Sequence, residues 1–257
     1  MMRLKIVAMA RAYARASPPT PPARHGRIAD MATARELARE QMNERILELG
    51  RRQLAEVGAA GLSVRALTRE LGVSSSAVYR YVANRDELLT RLIVDGYDSL
   101  GEAVEHAGAS RGSASARWRR CCAAMREWAE QNPHRWALIY GSPVPGYQAP
   151  QDTLAPAGRV ARVLAMLLQD AGARPRPPMA RPERRLLGNL EQAAALFDTE
   201  LDGATMLALI SALTRLVGTL SLELSGHLVG TAEPAEAYWS WLVEELAHEL
   251  GLADPDG

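Results

Sequence analysis

Apolar residues recur along most of the chain at the three-to-five-residue spacing of an α-helix. Met42, Ile46, Leu49, Leu54 and Val57 show this spacing within 34–57. The pattern predicts further helices over 63–71, 74–82, 85–106, 116–131, 134–140, 154–171, 182–197, 203–229 and 234–250. No segment alternates apolar and polar residues as a half-buried β-strand does. The sequence therefore predicts an all-α protein.

Two of the predicted helices are short and closely spaced, over 63–71 and 74–82. Gly72 between them supplies the backbone freedom that a tight turn requires. The residues expected on the facing sides are Leu67, Leu71, Val73, Val78 and Tyr81. The second helix then exposes a surface that can approach phosphates and base edges, formed by Ser75, Ser76, Ala77, Tyr79 and Arg80. We interpret it as a recognition helix.

The distribution of charge strengthens this interpretation, although the formal net charge of the chain is zero. Residues 1–91 contain 16 basic and 9 acidic residues, a net charge of +7, and residues 92–257 carry −7. No acidic residue occurs between Glu70 and Asp86. The N-terminal part is thus suited to meeting DNA phosphates. A helix pair that only packs within its own domain remains the alternative.

The N-terminal part resembles the DNA-binding domain of TetR-family transcriptional regulators. The similarity lies in Gly61-Leu62-Ser63-Val64-Arg65, Leu71-Gly72-Val73-Ser74, Val78-Tyr79-Arg80-Tyr81-Val82 and Asn84-Arg85-Asp86-Glu87-Leu88-Leu89. It implies that the DNA contacts are made by Arg65, Ser75, Ser76, Ala77, Tyr79, Arg80, Tyr81 and Arg85. Thr68 departs from the Ala that helix-turn-helix motifs usually carry, and Arg85 has the alternative role of a helix-capping residue.

The resemblance also implies how the chain is divided. We expect a helix-turn-helix DNA-binding domain of three helices over 34–84 and a helical ligand-binding and dimerisation domain over 85–252. Residues 253–257 are expected to form a tail. The basic, Pro-rich residues 1–33 are expected to be a disordered extension. This extension is either an arm that follows phosphates or leader sequence preceding a true start at Met31.

The predicted helices 203–229 and 234–250 are the candidates for a homodimer interface, because two-fold dimers read paired half-sites in DNA. They are expected to form a four-helix bundle with the partner through Leu209, Leu213, Leu216, Leu220, Trp239, Leu242 and Leu246. The first of these helices also has the length of a membrane span. Arg215 and Glu223 argue against insertion, because a charge at the bilayer centre costs about 2.5 to 3.5 kcal/mol.

Most of the aromatic residues lie between the DNA-binding part and these two helices. Large rings and thioethers enclosed by helices suit an apolar ligand pocket, predicted here from Trp118, Met125, Trp128, Trp136, Tyr140, Tyr147, Met166 and Phe197. Ordinary core is the alternative for each residue. The resemblance implies that a small-molecule effector changes the separation of the two DNA-reading heads and releases the operator.

The sequence contains none of the patterns on which an enzyme or metal site would rest. The five histidines show no metal-binding spacing, and Cys121-Cys122 cannot chelate as a CxxC pair. Gly141-Ser142-Pro143 is not a nucleophile elbow. We therefore expect a cytoplasmic, ligand-responsive dimeric repressor that binds a palindromic operator in double-stranded DNA, without cofactor or metal. The alternative is a helical DNA-binding interaction protein without a small-molecule ligand.

Overall fold

The structure, a computed structural model, describes residues 28–252, with side chains described from residue 33 onward. Its α-helices, numbered here in chain order, are α1 (Ile28–Gly61), α2 (Val64–Leu71), α3 (Ser75–Val78), α4 (Arg85–Gly108), α5 (Ala114–Gln131), α6 (Pro133–Tyr140), α7 (Leu154–Asp170), α8 (Arg184–Leu196), α9 (Gly203–Leu224) and α10 (Ala235–Glu249). A 3₁₀ helix, Gln151–Thr153, precedes α7. No strand occurs within 28–252, so the predicted all-α class is confirmed.

A small N-terminal core joins α1, α2, α3 and the first turns of α4. Its buried residues are Ile46, Leu49, Leu54, Leu62, Val64, Leu67, Val78, Val82, Leu88, Leu89 and Leu92. Helix α4, which follows the helix-turn-helix, therefore contributes to this core beyond residue 84, where the sequence placed the domain boundary. We name residues 42–92 the DNA-reading unit, after the role that the sequence predicts for them.

Short polar side chains begin the helices of the DNA-reading unit. Ser63 caps α2 by accepting a hydrogen bond from the backbone of Ala66, and Ser74 caps α3 in the same way. Asn84 caps α4 by accepting from the backbone N–H of Glu87 at 2.9 Å. Gly72 has a φ of 64°, the left-handed conformation that lets the chain reverse between α2 and α3. Of these features, the tight turn at Gly72 is the one that the sequence predicts.

Two predicted boundaries differ from the observed ones. Helix α3 ends at Val78, and residues 79–81 form turns, because the chain must bend inward to bury Val82 completely. Helix α1 begins at Ile28, so 28–33 are helical although the sequence placed them in a disordered extension. The rest of that extension and the predicted tail at 253–257 lie outside the described residues.

The larger, C-terminal core is formed by the second half of α4 with α5 to α10. Leu100 and Val104 of α4 belong to it, so α4 runs from one core into the other. Gly101 allows α7 to approach closely, because a Cβ atom at this position would lie 2.8 Å from the Cβ atom of Arg159. Arg159 in turn pairs with Glu105 of α4 at 2.6 Å. Helices α4 and α7 are therefore joined by both close packing and charge.

Helix α9 is long and apolar enough to cross a membrane by length and composition alone. Its two charged residues are paired with other helices, Arg215 at the middle with Glu249 of α10 at 2.5 Å and Glu223 near the end with Arg126 of α5 at 2.6 Å. Its inner side is buried in the C-terminal core through Met206, Leu209, Ala212, Leu216 and Leu220. These contacts are those of a core helix in a helical bundle.

Candidate nucleic-acid interface

The residues predicted to read DNA lie mostly on the outer surface of α2 and α3. Arg65, Ser75, Ser76 and Arg80 are exposed, and 42% of the Tyr79 surface is accessible. Val78, on the opposite side of α3, is completely buried. The structure thus brings most of the predicted contacts to one surface and leaves them free to meet a groove of DNA.

An open groove of about 650 Å³ separates α2 from α3. The residues that line it are Arg65, Thr68, Arg69, Ser75 and Tyr79. The groove therefore offers as donors two guanidinium groups and the hydroxyl groups of Ser75 and Tyr79, without a carboxylate, while the Thr68 hydroxyl donates within α2. This donor set suits a phosphate, since guanidinium groups bind phosphate oxygens through strong, charge-assisted hydrogen bonds.

Arg69 is the residue in this groove that the sequence reasoning missed. It lies four residues after Arg65, one turn further along α2, where side chains on a helix are neighbours. That spacing was the available signal.

The departure at Thr68 fits the fold without strain. Its side chain is buried, and its hydroxyl donates a hydrogen bond to the backbone carbonyl of Arg65 at 2.7 Å. A hydroxyl buried without such a bond would destabilise the domain. Thr68 therefore replaces the usual Ala at the cost of one small, satisfied polar group.

Two predicted DNA contacts are used inside the DNA-reading unit. Tyr81 packs against the N-terminal core, and its carbonyl accepts a hydrogen bond from Arg91. Arg85 donates from Nη2 to the carbonyl oxygen of Ala59 at 2.9 Å and to that of Ala60 at 3.4 Å. The guanidinium of Arg85 is therefore directed at the end of α1, and its contact with DNA stays a prediction.

The tryptophans of the predicted ligand pocket are buried and hydrogen-bonded. Their indole N–H groups donate at 3.0 Å, from Trp118 to the Val243 carbonyl, from Trp128 to the Ser99 hydroxyl and from Trp136 to the Ser221 hydroxyl. Met125 and Phe197 are buried in the same C-terminal core. These contacts are those of well-packed core residues, the alternative that the sequence left open.

Tyr140 extends this cluster towards α4. Its ring lies 4.5 Å from that of Trp136 and 5.9 Å from that of Tyr97, centroid to centroid. Burial raises the pKa of Tyr97 to about 12, and it raises that of Tyr140 further. Both phenols are therefore neutral hydrogen-bonding groups at physiological pH.

Two other residues of the predicted pocket lie elsewhere. Met166 is 40% exposed on α7. Tyr147 packs against the N-terminal core, with its hydroxyl 2.8 Å from that of Thr90. Neither residue joins the aromatic cluster of the C-terminal core: Met166 lies on the polar side of α7, four residues after Arg162, and Tyr147 lies in a loop, whose path the helical period does not predict.

The predicted dimer contacts require a similar correction. Six of the seven, Leu209, Leu216, Leu220, Trp239, Leu242 and Leu246, are buried in the core of their own chain. Leu213 is partly exposed. The apolar residues that α9 and α10 turn outward include Leu222, which is 46% exposed, and Trp241, which is 54% exposed and stacks on Tyr238 at 5.7 Å.

Within residues 33–252 no group of three or more His, Cys, Asp and Glu side chains is placed to hold a metal ion. Cys121 and Cys122 are free thiols in the C-terminal core. Burial raises the pKa of Cys121 to about 11 and that of Cys122 well above its ordinary value. Both are thus protonated at neutral pH and poorly reactive.

Comparison with known proteins identifies two regions. Residues 46–92 match the family described as bacterial regulatory proteins, tetR family. Residues 118–246 match the family described as tetracyclin repressor-like, C-terminal domain. The first region coincides with the DNA-reading unit, and the second spans α5 to most of α10.

Curated relatives support the same assignment. The HTH-type transcriptional regulator Rv1816 of Mycobacterium tuberculosis (strain ATCC 25618 / H37Rv) is 56% identical over 122 residues, and Mb1846 of Mycobacterium bovis has the same identity. The matched part is 46% of this chain and 51% of each relative. The chain therefore covers about half the length of these relatives.

Solved structures extend the similarity over most of the chain. The regulatory protein SCO4313 is 30% identical with a TM-score of 0.70, over 83% of this chain and 98% of that protein. A protein of unknown function from Rhodococcus sp. RHA1 shares the fold at a TM-score of 0.61 and 20% identity, over 81% of this chain and 94% of that one. The chain belongs to the TetR family of transcriptional regulators, which are DNA-binding proteins and not enzymes.

Proposed function

We propose that the protein is a dimeric repressor that binds a palindromic operator in double-stranded DNA and is released by a small, largely apolar effector. The observation that carries the DNA-binding part is the groove between α2 and α3, with its two arginines and without a carboxylate. The exposed side of α3 continues this surface. The proposed place of action is the cytoplasm.

The contacts divide into two kinds by their position. Arg65 and Arg69 line the groove and would bind a phosphate of the DNA backbone. Ser76 and Arg80 are exposed on and just beyond α3. They would reach base edges in the major groove, where an arginine can bind guanine through two hydrogen bonds. Phosphate binding by Arg65 and Arg69 then supplies affinity, and base contacts by Ser76 and Arg80 supply specificity.

Dimerisation would use the outward surfaces of α9 and α10. Apolar side chains that reach the surface of these helices include Leu222 and Trp241, which are exposed, and Leu213 and Tyr238, which are partly exposed. Aromatic anchors of this kind commonly dominate the energetics of an interface. Two DNA-reading units held in this way would meet half-sites about 34 to 36 Å apart, or a multiple of that distance.

Effector binding is proposed for the aromatic cluster of the C-terminal core. Trp128, Trp136 and Tyr140 lie on α5 and α6, close to α4, which continues into the DNA-reading unit. A ligand that parts these rings would favour one of two arrangements of α4 and thereby one separation of the DNA-reading units.

DNA binding can be tested with duplexes selected by the protein from a randomised pool. We expect a palindromic site whose affinity falls steeply with rising salt. Arg69→Ala should weaken all selected sequences evenly, whereas Arg185→Ala, which removes an equally exposed arginine from α8, should have little effect. Failure to enrich any palindrome, or equal losses for both variants, would contradict the proposal.

The effector part has its own test, because an architectural DNA-binding protein without a ligand would share the DNA-binding results. A library of small apolar compounds is screened by thermal unfolding and by release of the selected operator. We expect at least one class to raise the melting temperature and lower operator affinity together. A protein whose stability and operator affinity respond to no compound fits the alternative.

A further inference from the structure

Asp95 of α4 accepts hydrogen bonds from arginines on two other helices. Arg51 of α1 donates from Nη2 to Oδ1 at 2.6 Å and from Nε to Oδ2 at 3.0 Å. Arg135 of α6 donates from Nη2 to Oδ2 at 2.8 Å and to the Asp95 backbone carbonyl at 3.0 Å. One carboxylate thus joins three helices through directional, charge-assisted bonds.

These three side chains are sheltered from solvent to different degrees. The side chains of Asp95 and Arg135 are each 14% exposed, and that of Arg51 is 31% exposed. Burial lowers the pKa of Arg135, whereas the hydrogen bonds that Arg51 donates to Asp95 raise the pKa of Arg51. Since water screens such a site less than the open surface, its bonds constrain geometry more than surface ion pairs do.

The two arginines belong to different parts of the fold. Arg51 lies on α1 between Leu49 and Leu54, which are buried in the N-terminal core. Arg135 lies 5.2 Å from the ring of Trp128, in the C-terminal core. Asp95 therefore ties the base of the DNA-reading unit to the rest of the protein.

Helix α4 already links the two parts, but a single helix leaves rotation about its axis and bending unopposed. Apolar contacts from Leu138, Val144 and Tyr147 also reach the N-terminal core, and the Tyr147 hydroxyl lies within hydrogen-bonding distance, 2.8 Å, of that of Thr90. The ion pairs of Asp95 add charged, two-point bonds to these contacts. A two-point bond from Arg51 to Asp95 resists both motions, because each would lengthen one of its two hydrogen bonds.

We propose that Asp95 is a positioning residue for DNA recognition. Through Arg51 and Arg135 it fixes the orientation of the DNA-reading unit relative to the C-terminal helices, and so selects the half-site separation that the dimer accepts. The selection of a half-site separation rests on the proposed function, whereas the fixed orientation of the DNA-reading unit does not. In this proposal Asp95 acts through the two arginines that hold its side chain and not through a contact with DNA.

The variants are chosen to separate positioning from folding. Arg51→Gln removes the ion pair between α1 and Asp95 and leaves the pair between Asp95 and Arg135 in place. Asp95→Asn weakens both ion pairs. Asp98→Asn is the matched control, because Asp98 lies on the same helix and pairs with Arg159 of α7 at 2.8 Å, within the C-terminal part. Arg51→Lys restores the charge without the two-point geometry.

The first measurement is independent of DNA and of oligomeric state. Spin labels are placed on the exposed positions Ala55 and Ala171 through cysteine substitutions, while the native cysteines stay buried. Labelled chain is diluted into an excess of unlabelled chain of the same variant, and pulsed electron resonance gives the distance distribution. We expect it to broaden in Arg51→Gln and Asp95→Asn, to recover partly in Arg51→Lys and to stay narrow in Asp98→Asn.

The second measurement uses operators in which the selected half-sites are moved apart or together by one base pair. The preference of wild type for the original separation should fall about fivefold in Arg51→Gln, within the range of typical coupling between sites, and remain in Asp98→Asn. An unchanged distance distribution in Arg51→Gln, with or without a lower melting temperature, overturns the proposal. If wild type selects no DNA, the proposed function fails, and the distance measurement alone decides the role of Asp95.

Discussion

The guanidinium group of Arg85, at the first residue of α4, donates a hydrogen bond to the carbonyl oxygen of Ala59 near the end of α1 at 2.9 Å. Ala59 directly follows Gly58, whose φ of 67° and ψ of 175° interrupt the helical conformation of α1, and the last carbonyls of a helix have no donor within that helix. The bond spans 26 residues and joins the two helices that flank the helix-turn-helix. Arg85 is thus a structural residue of the DNA-reading unit.

Replacing Arg85 with Ala should therefore destabilise the protein more than it weakens DNA binding. We expect a loss of about 1 kcal/mol in the free energy of unfolding, measured with urea, because a hydrogen bond from a partly exposed charged group is lost. Operator affinity, corrected for the folded fraction, should change less than in Arg80→Ala. A large loss of affinity at unchanged stability would restore the phosphate contact that the sequence indicated.

Arg80→Ala tests how the exposed end of the recognition segment is used. If Arg80 reads a base, the substitution costs about 1 to 3 kcal/mol and relaxes specificity at one operator position. Arg65→Ala should instead weaken all sequences evenly and lower the slope of affinity against salt by about one. Gel shifts on operator variants at several salt concentrations separate the two patterns. Unchanged binding by both variants would place the DNA elsewhere.

The helix-turn-helix was predictable because its determinants are local. Gly72 can adopt a positive φ, and Ser63, Ser74 and Asn84 can cap the helices that follow them, whatever the rest of the chain does. The exposed surface of α3, which includes Ser75 and Ser76, follows from these elements and from the burial of Val78 on the opposite side. The long-range bond from Arg85 to Ala59 left no such signal, since it depends on how α1 and α4 cross.

The outward surface of α9 could not be predicted for a different reason. Apolar residues occupy nearly every side of this helix, so the helical period gives no preferred face. Leu216 and Leu220 are buried in the chain's own core, whereas Leu222 is exposed. Only the positions of the neighbouring helices determine this difference. Met166 on α7 is a different case, because its position four residues after Arg162 places it on the polar side of that helix.

Trp241→Glu tests the proposed dimer surface. The side chain is 54% exposed and stacks on Tyr238, so a carboxylate in its place should not disturb the fold. Buried between two copies it would be strongly unfavourable, and we expect dimerisation to weaken by about 2 kcal/mol or more. Sedimentation velocity over a concentration series measures the shift to monomer.

Met166→Glu is the control for this experiment, because Met166 is 40% exposed on α7 and is not part of the proposed surface. It should leave the dimer intact. Equal dimerisation of the two variants would mean that the copies associate through another face.

Trp118 tests whether the predicted pocket residues act as core. Its side chain is completely buried, and its indole donates to the Val243 carbonyl of α10 at 3.0 Å. Trp118→Ala should lower the free energy of unfolding by about 3 to 5 kcal/mol. Tyr79→Phe, which alters an exposed ring, should change it by less than about 0.5 kcal/mol. Urea unfolding compares them, and a Trp118→Ala protein of near wild-type stability would favour a ligand-lining role.

The start of α9 should respond to acid through Asp202. Its carboxylate accepts a hydrogen bond from the backbone N–H of Thr205 at 2.7 Å, and this bond lowers its pKa below the ordinary 3.8. A group whose pKa is depressed on folding adds stability above its unfolded pKa, and the contribution disappears as the pH falls through the folded value. Asp202→Ala should cost about 1 kcal/mol at neutral pH through loss of the cap.

Asp202→Asn separates the charge from the cap, because the amide oxygen still accepts the hydrogen bond but does not titrate. Urea unfolding from neutral pH down to about pH 2.5 should show a wild-type advantage over Asp202→Asn that shrinks below the ordinary pKa of 3.8. Other carboxylates titrate in the same range, so only the difference between the two proteins is interpreted. A difference that stays constant throughout would mean that the charge of Asp202 makes no contribution to stability, and that its oxygen acts only as a neutral cap.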